Sequence, residues 1–154
     1  MRMTLHTDYA LRMLMMLGIR AGEPVTVQQV AESYGLSRNH LLKVALNLRN
    51  MGVITATRGR AGGIALARRP EDINIGEIVR ATEDDLALVG GMHEDGRRLL
   101  SPACRLRGVV REALQAYLSV FDRYSLADLI QNKEQLGLLL QMEPPRGMAP
   151  QPVE

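Results

Sequence analysis

A chain of 154 residues with one cysteine, Cys104, cannot close an internal disulfide. No apolar run is long enough to cross a bilayer as a helix. The start, Met1-Arg2-Met3-Thr4-Leu5-His6, lacks the apolar stretch and small-residue cleavage site of a secretory signal. These absences predict a cytoplasmic chain with no membrane partner. Catalytic signatures are missing too. No Ser/His/Asp or Cys/His arrangement stands out. Gly59-x-x-Gly62 lacks the Gly-Lys-Ser/Thr ending and strand-to-helix setting of a phosphate-cradling loop. Glu83, Asp84 and Asp85 are adjacent carboxylates of a kind that is solvated or capping. Nothing in this set supports an enzyme.

What is present is a globular composition, 46% hydrophobic, with an uneven charge distribution. The net charge is only +2. Residues 1–70 hold 10 of the 19 Lys+Arg and 3 of the 17 Asp+Glu, a local charge of +7, and residues 71–154 carry −5. A basic N-terminal half is the footprint expected for a polyanionic partner.

Hydrophobic spacing predicts the element order. Thr7 and Asp8 read as caps of a helix over Tyr9–Ile19 that is apolar nearly all round and therefore buried on several sides. Glu23-Pro24 closes that segment. Thr26 caps a short helix from Val27 to Tyr34, and Gly35 stops it. Ser37 caps a second helix running to about Met51. Two short helices joined by a tight turn form a helix-turn-helix. Val53–Thr57 and 64–67 read as paired strands around the tip Arg58-Gly59-Arg60-Ala61-Gly62-Gly63, a wing. A helix follows at about 74–83, then a mostly irregular stretch over 84–100. Ser101-Pro102 opens the longest helix, which runs to about Asp122. In it Leu106, Val110, Ala113, Tyr117 and Val120 recur at spacings of 4, 3, 4 and 3. That stripe fits a homodimer interface, or else one broad core face. A short helix begins at Ser125, and residues 141–154 read as a disordered tail.

The fold class expected is therefore mainly α with a small β-hairpin: a winged helix-turn-helix over 1–83, a loop over 84–100, and a dimerisation helix with a closing helix over 101–140. In the second helix the polar residues come early, where a recognition helix meets the major groove. Arg38 can be bidentate to guanine and Asn39 can address adenine. Ser37, His40 and Lys43 suit phosphates or base edges. Arg58, Gly59 and Arg60 form a wing tip able to enter a minor groove or meet phosphates. Double-stranded DNA is the expected partner. A winged-helix module that docks a protein is the competing reading, and the basic face counts against it.

Several segments resemble one family. Thr7-Asp8-Tyr9-Ala10-Leu11-Arg12, Ser37 to Lys43, Arg58 to Leu66, Ile75 to Arg80, Ser101-Pro102-Ala103-Cys104-Arg105-Leu106 and Asp122 to Leu129 are similar to signatures of the NsrR/IscR-type iron–sulfur repressors, above all the nitric-oxide-sensing NsrR branch. The resemblance spans roughly residues 1–140. It implies a dimer that crosses its long helices, repression at palindromic promoter sites, and targets in nitric oxide or redox stress. It also implies an iron–sulfur cluster held by three cysteines, with Asp8 at a position that in some members supplies an oxygen ligand. Here only Cys104 remains, and Gly91 and Arg98 stand where the other two belong. Glycine offers no ligand atom and arginine is a fixed cation. His93, Glu94 and Asp95 are oxygen- or nitrogen-bearing neighbours poorly suited to a cluster. The expectation is therefore no resident cofactor, with Cys104 and Asp8 as a remnant. Cys104 falls in the first turn of its helix near Arg105 and Arg107, where the dipole and cations favour a thiolate. A thiol- or small-ligand-responsive regulator of the same fold is the alternative, and a small half-buried residue is the plain one.

Overall fold

A computed structural model describes residues 3–59, 62–83, 86 and 105–140. Its centre is α1 (Leu5–Ile19), in which Ala10, Met13, Leu14, Met16 and Leu17 are no more than 1% exposed. Burying each large apolar side chain contributes about 1.5–3 kcal/mol of transfer free energy. The all-round apolar character read from the sequence thus places this helix inside the fold. Its start differs from the expectation. Thr4, not Thr7 or Asp8, is the N-cap: its Oγ1 accepts from the Thr7 backbone N–H at 3.2 Å. The Glu83 carboxylate in turn accepts from the Thr4 backbone N–H at 2.9 Å and from its hydroxyl at 3.3 Å. Thr7 is buried one turn inside the helix.

Beyond α1, the chain builds the helix-turn-helix. α2 (Val27–Tyr34) begins with a capping box in which Gln29 N–H donates to Thr26 Oγ1 at 3.1 Å and Thr26 N–H donates to Gln29 Oε1 at 2.8 Å. Gly35 turns left-handed, at φ +63°, and lets Leu36 N–H reach Ala31 O at 2.9 Å. This closes α2 in a Schellman turn that a side chain would strain. Ser37 then caps α3 (Arg38–Asn50), whose Leu41, Val44, Ala45 and Leu48 face the core. β1 (Ile54–Thr57) and β2 (Gly63–Leu66) pair antiparallel with Ile54 opposite Leu66 and Thr57 opposite Gly63. Val25, between α1 and α2, adds a bridge to Ile64 through two hydrogen bonds of 2.9 and 2.8 Å. The base of the wing is thereby fastened to the start of the helix-turn-helix.

The second half closes over the first. A 3₁₀ turn at Pro70–Asp72 leads into α4 (Ile75–Thr82), capped by Asn74. Ile73, Ile75, Ile78 and Val79 are buried, as their spacing predicts. α5 (Arg105–Asp122) packs along α4, and α6 (Leu126–Leu129) and α7 (Lys133–Leu139) return to α1. The α4 start and the α5–α6 junction are stitched together. Asn74 Nδ2 donates to Asp122 O at 2.8 Å, Ile75 N–H to Tyr124 O at 3.0 Å, and Leu126 N–H to Ile73 O at 2.8 Å. Gly76 leaves room for this closeness, because a Cβ there would displace the Asp122 carboxylate and the Arg80 guanidinium. Arg80 donates both terminal nitrogens to that carboxylate, Nη2 to Oδ2 at 2.7 Å.

The mainly α architecture with one hairpin agrees with the fold class expected. The core does not stop at residue 83, however. Leu126 and Ile130, from the closing helix, are 0% and 1% exposed in the same cluster as α1. The irregular stretch expected over 84–100, apart from half-buried Leu86, lies outside the described residues. So do the helix opening at Ser101 and the tail expected over 141–154.

The Arg80 guanidinium, by hydrogen bonding first and by its charge second, holds the Asp122 carboxyl below the usual carboxylate range. A carboxyl whose folded value is depressed stabilises the fold above its unfolded value and loses that contribution as pH falls through the folded one. Asp122→Asn should therefore lower Tm at neutral pH. The gap to the parent should close on acidification below the carboxylate range, followed by circular dichroism. A gap constant with pH contradicts this account of the clamp.

Candidate nucleic-acid interface

The basic surface arises because the chain from Gly35 to Pro70 contains seven Lys+Arg and no Asp or Glu. α3 turns about 100° per residue, so burial of Leu41, Val44, Ala45 and Leu48 leaves the opposite face to solvent. Ser37, Arg38, Asn39 and Lys43 are exposed on its N-terminal half, followed by Leu42, Leu46, Arg49 and Asn50. Arg38, Lys43, Arg49 and Arg58 make no ion pair among the described residues. Among the described residues no carboxylate neutralises their charge. Arg58 and Gly59 are exposed where β1 runs into the wing tip. Arg60 lies outside the described residues.

His40, expected to suit phosphates or base edges, also has partners within the fold. It is half-buried, with its ring 4.9 Å from the Tyr9 ring in an edge-on contact and 6.1 Å from the His6 ring. The first turn of α3 is thus seated on the first turns of α1. Nothing local in the sequence announced this, because the partners lie more than thirty residues apart.

A second unforeseen residue is Arg68. Its guanidinium donates to Met51 O at 2.8 Å and to Gly52 O at 3.3 Å, covering carbonyls at the end of α3. Glu77 holds it from the other side at 3.2 Å. A cation on orphan C-terminal carbonyls satisfies both their hydrogen bonding and the helix dipole. Arg68 and Arg69, the latter paired with Asp72 at 2.8 Å, are consequently structural members of the basic stretch.

On the far side, the stripe expected on α5 divides. Leu106, Ala113 and Val120 are exposed, but Val110 and Tyr117 are half-buried, Tyr117 meeting Phe121 edge-on at 5.0 Å. Leu118 and Phe121 pack on the core. The exposed apolar seam is therefore Leu106, Val109, Ala113, Ala116 and Val120, at spacings of 3, 4, 3 and 4, with Val109 60% exposed.

A helix-turn-helix with a fastened wing and an exposed basic face on its second helix is the frame of a winged-helix regulator. The chain belongs to the Rrf2 family, described as iron-dependent transcriptional regulators, which it matches over residues 3–132. It is 48% identical over 145 residues to the HTH-type transcriptional regulator NsrR of Bacillus subtilis (strain 168), covering 93% of this chain and 99% of that protein. Identity to the protein of the same name from Halalkalibacterium halodurans is 47% over 146 residues, covering 94% and 100%. Among solved structures it resembles CymR, the global cysteine regulator of B. subtilis, with TM-score 0.71, 25% identity and coverage of 86% and 98%. T. potens IscR gives TM-score 0.70 and 26% identity, covering 98% and 94%. The chain is a transcriptional regulator and not an enzyme. No helix among the described residues is long and apolar enough to cross a membrane.

The iron–sulfur cluster implied by the resemblance does not fit the donors present. The chain has a single thiol, and iron–sulfur clusters are held chiefly by several thiolates. Asp8 is engaged elsewhere: its carboxylate accepts from Arg12 Nε at 3.0 Å, and the Arg12 guanidinium lies 5.8 Å from the Tyr34 ring centre. Burial raises the Tyr34 hydroxyl above its usual range, with Arg12 opposing. No three His, Cys, Asp or Glu side chains gather among the described residues. Cys104, Gly91, Arg98, His93, Glu94 and Asp95 lie outside them.

Arg68→Ala should destabilise the fold by about 1 kcal/mol in urea unfolding, through loss of the α3 cap. Arg69→Ala, whose ion pair is exposed, should change it by less than about 0.5 kcal/mol. Equal losses contradict the capping role.

Proposed function

We propose that this regulator is a homodimeric repressor that reads DNA with α3 in the major groove and its wings in the minor groove. The observation that carries the proposal is the acid-free stretch from Gly35 to Pro70, with Arg38, Lys43, Arg49 and Arg58 in no ion pair among the described residues. Arg38 is assigned to a guanine edge and Asn39 to an adenine edge. Ser37 and Lys43 are assigned to phosphates, with His40 setting the first turn of α3 beside them. Arg58, Gly59 and Arg60 are assigned to the minor groove or its phosphates. The exposed α5 seam is the surface on which a second copy packs, with Val110 and Tyr117 flanking it. Two-fold symmetry then calls for a palindromic site with half-sites on the order of 34 Å apart. The resemblance to the NsrR branch supports genes of nitric oxide or redox stress as targets.

A site selected from a random duplex library supplies the probe. Arg38→Ala should cost roughly 1–3 kcal/mol on the selected site and flatten discrimination at one base pair. Arg58→Ala should weaken selected and random duplexes alike and lower the slope of log K against log salt by about one. Identical behaviour of the two variants contradicts the division of roles.

The poor donor set supports regulation without a cluster. Protein purified anaerobically should be colourless, carry substoichiometric iron and bind the selected duplex in that state. Brown protein with stoichiometric iron contradicts this reading and leaves the DNA assignment standing.

A further inference from the structure

We infer that Leu42 is a specificity-determining residue of α3, packing on the C5-methyl of a thymine in the major groove beside the guanine assigned to Arg38. The inference rests on the repressor reading above and deepens it.

Leu42 has no task in the fold. Leu41, Val44, Ala45 and Leu48 bury α3 against the core. Leu42 is 42% exposed and, unlike Leu36 and Met51 at the two ends of the helix, does not pack against that core. An isolated exposed leucine is ordinary on a protein surface. This one stands among the groups assigned to bases and phosphates. A helix turns about 100° per residue, which sets Leu42 about 40° round from Arg38 and about 60° from Asn39 on the other side. It follows Arg38 at i+4 and Asn39 at i+3, the spacings at which side chains on one helix face are neighbours. Leu42 therefore comes one turn after both assigned base readers and lies between them round the helix, with Lys43 exposed next to it.

The surroundings select the occupant. Leu42 and Leu46, the latter 56% exposed, are the exposed large apolar side chains of α3. Arg38, Asn39, Lys43, Arg49 and Asn50 stand around them, all exposed. Apolar surface interrupted by cations and carboxamides fits a polyanion better than an apolar protein partner. In a major groove the apolar group on a base edge is the thymine methyl, and the other edges are hydrogen-bond donors and acceptors. A leucine set against those would strip them of water with no hydrogen bond in return. Against the methyl it buries apolar surface on both sides. The rise from Arg38 to Leu42 is about 6 Å, close to two base-pair steps of about 3.4 Å. Leu46 lies about 6 Å farther from the helix end that enters the groove, and is the comparison.

The test replaces thymine by deoxyuridine, one position at a time in both half-sites, in a duplex that the full chain selects from a random library. The exchange removes the methyl and leaves the base pair intact. Affinity is read by fluorescence anisotropy at one salt concentration. One thymine, within about two base pairs of the guanine whose readout Arg38→Ala removes, should bind about fourfold more weakly per half-site as deoxyuridine, the value of burying one methyl. Leu42→Ala should bind the thymine and deoxyuridine duplexes equally, and Leu46→Ala should keep the full methyl dependence. Alanine favours the helix and Leu42 lies outside the core, so the variant keeps the fold. Selective binding with no methyl-dependent thymine overturns the role of Leu42 and leaves the DNA reading standing. So does methyl dependence that persists in Leu42→Ala, or its loss in Leu46→Ala. Failure to select any duplex overturns both.

Discussion

Burial of α1 on several sides is the constraint from which the rest of the molecule follows. A helix with Met13, Leu14, Met16 and Leu17 almost fully out of solvent must be covered from several directions. α3, α4 and α6 supply that cover. Covering α1 fixes which face of α3 turns inward, and the polar and basic remainder of α3 is left outside. The regulator's basic face is therefore a by-product of core packing: hydrophobic burial orients the helix, and the charge left outside is what the proposed DNA reading uses.

Local devices keep that face in register. Paired capping at Thr26 and the Schellman turn at Gly35 set the angle between α2 and α3. The Tyr9–His40 contact seats the first turn of α3, and Arg68 covers its last carbonyls. The Val25–Ile64 bridge ties the wing to the same unit. Each is a modest term of about a kilocalorie per mole or less. Together they hold both proposed reading elements to one rigid support, the condition for specific contacts to be additive along a duplex.

What was readable in the sequence was what is local. The α2 capping, the Gly35 stop, the Ser37 cap, the hairpin and the buried face of α4 all came from spacing and turn chemistry within a dozen residues. What was not readable depends on contacts distant in sequence. Thr7 and Asp8 look like caps, but Glu83 supports Thr4 from 79 residues away and starts α1 earlier. Nothing near His40 signals the Tyr9 ring that meets it from α1. By period alone the α5 stripe fits a partner surface or a core face. The packing of Leu118 and Phe121 on the core decides which residues stay exposed. Similarly, Leu126 and Ile130 read as part of a separate closing helix although they complete the α1 core.

The central claim is that α1 packing presents the start of α3 and the wing to one duplex. The first backbone N–H groups of a helix have no intrahelical partner and exchange readily in the free protein. Hydrogen–deuterium exchange of the full chain with and without a selected duplex tests the claim directly. The account predicts slowed exchange in the segments around Ser37–His40 and around the wing tip. Protection confined to α5 and α7, with both reading segments unchanged, would contradict it.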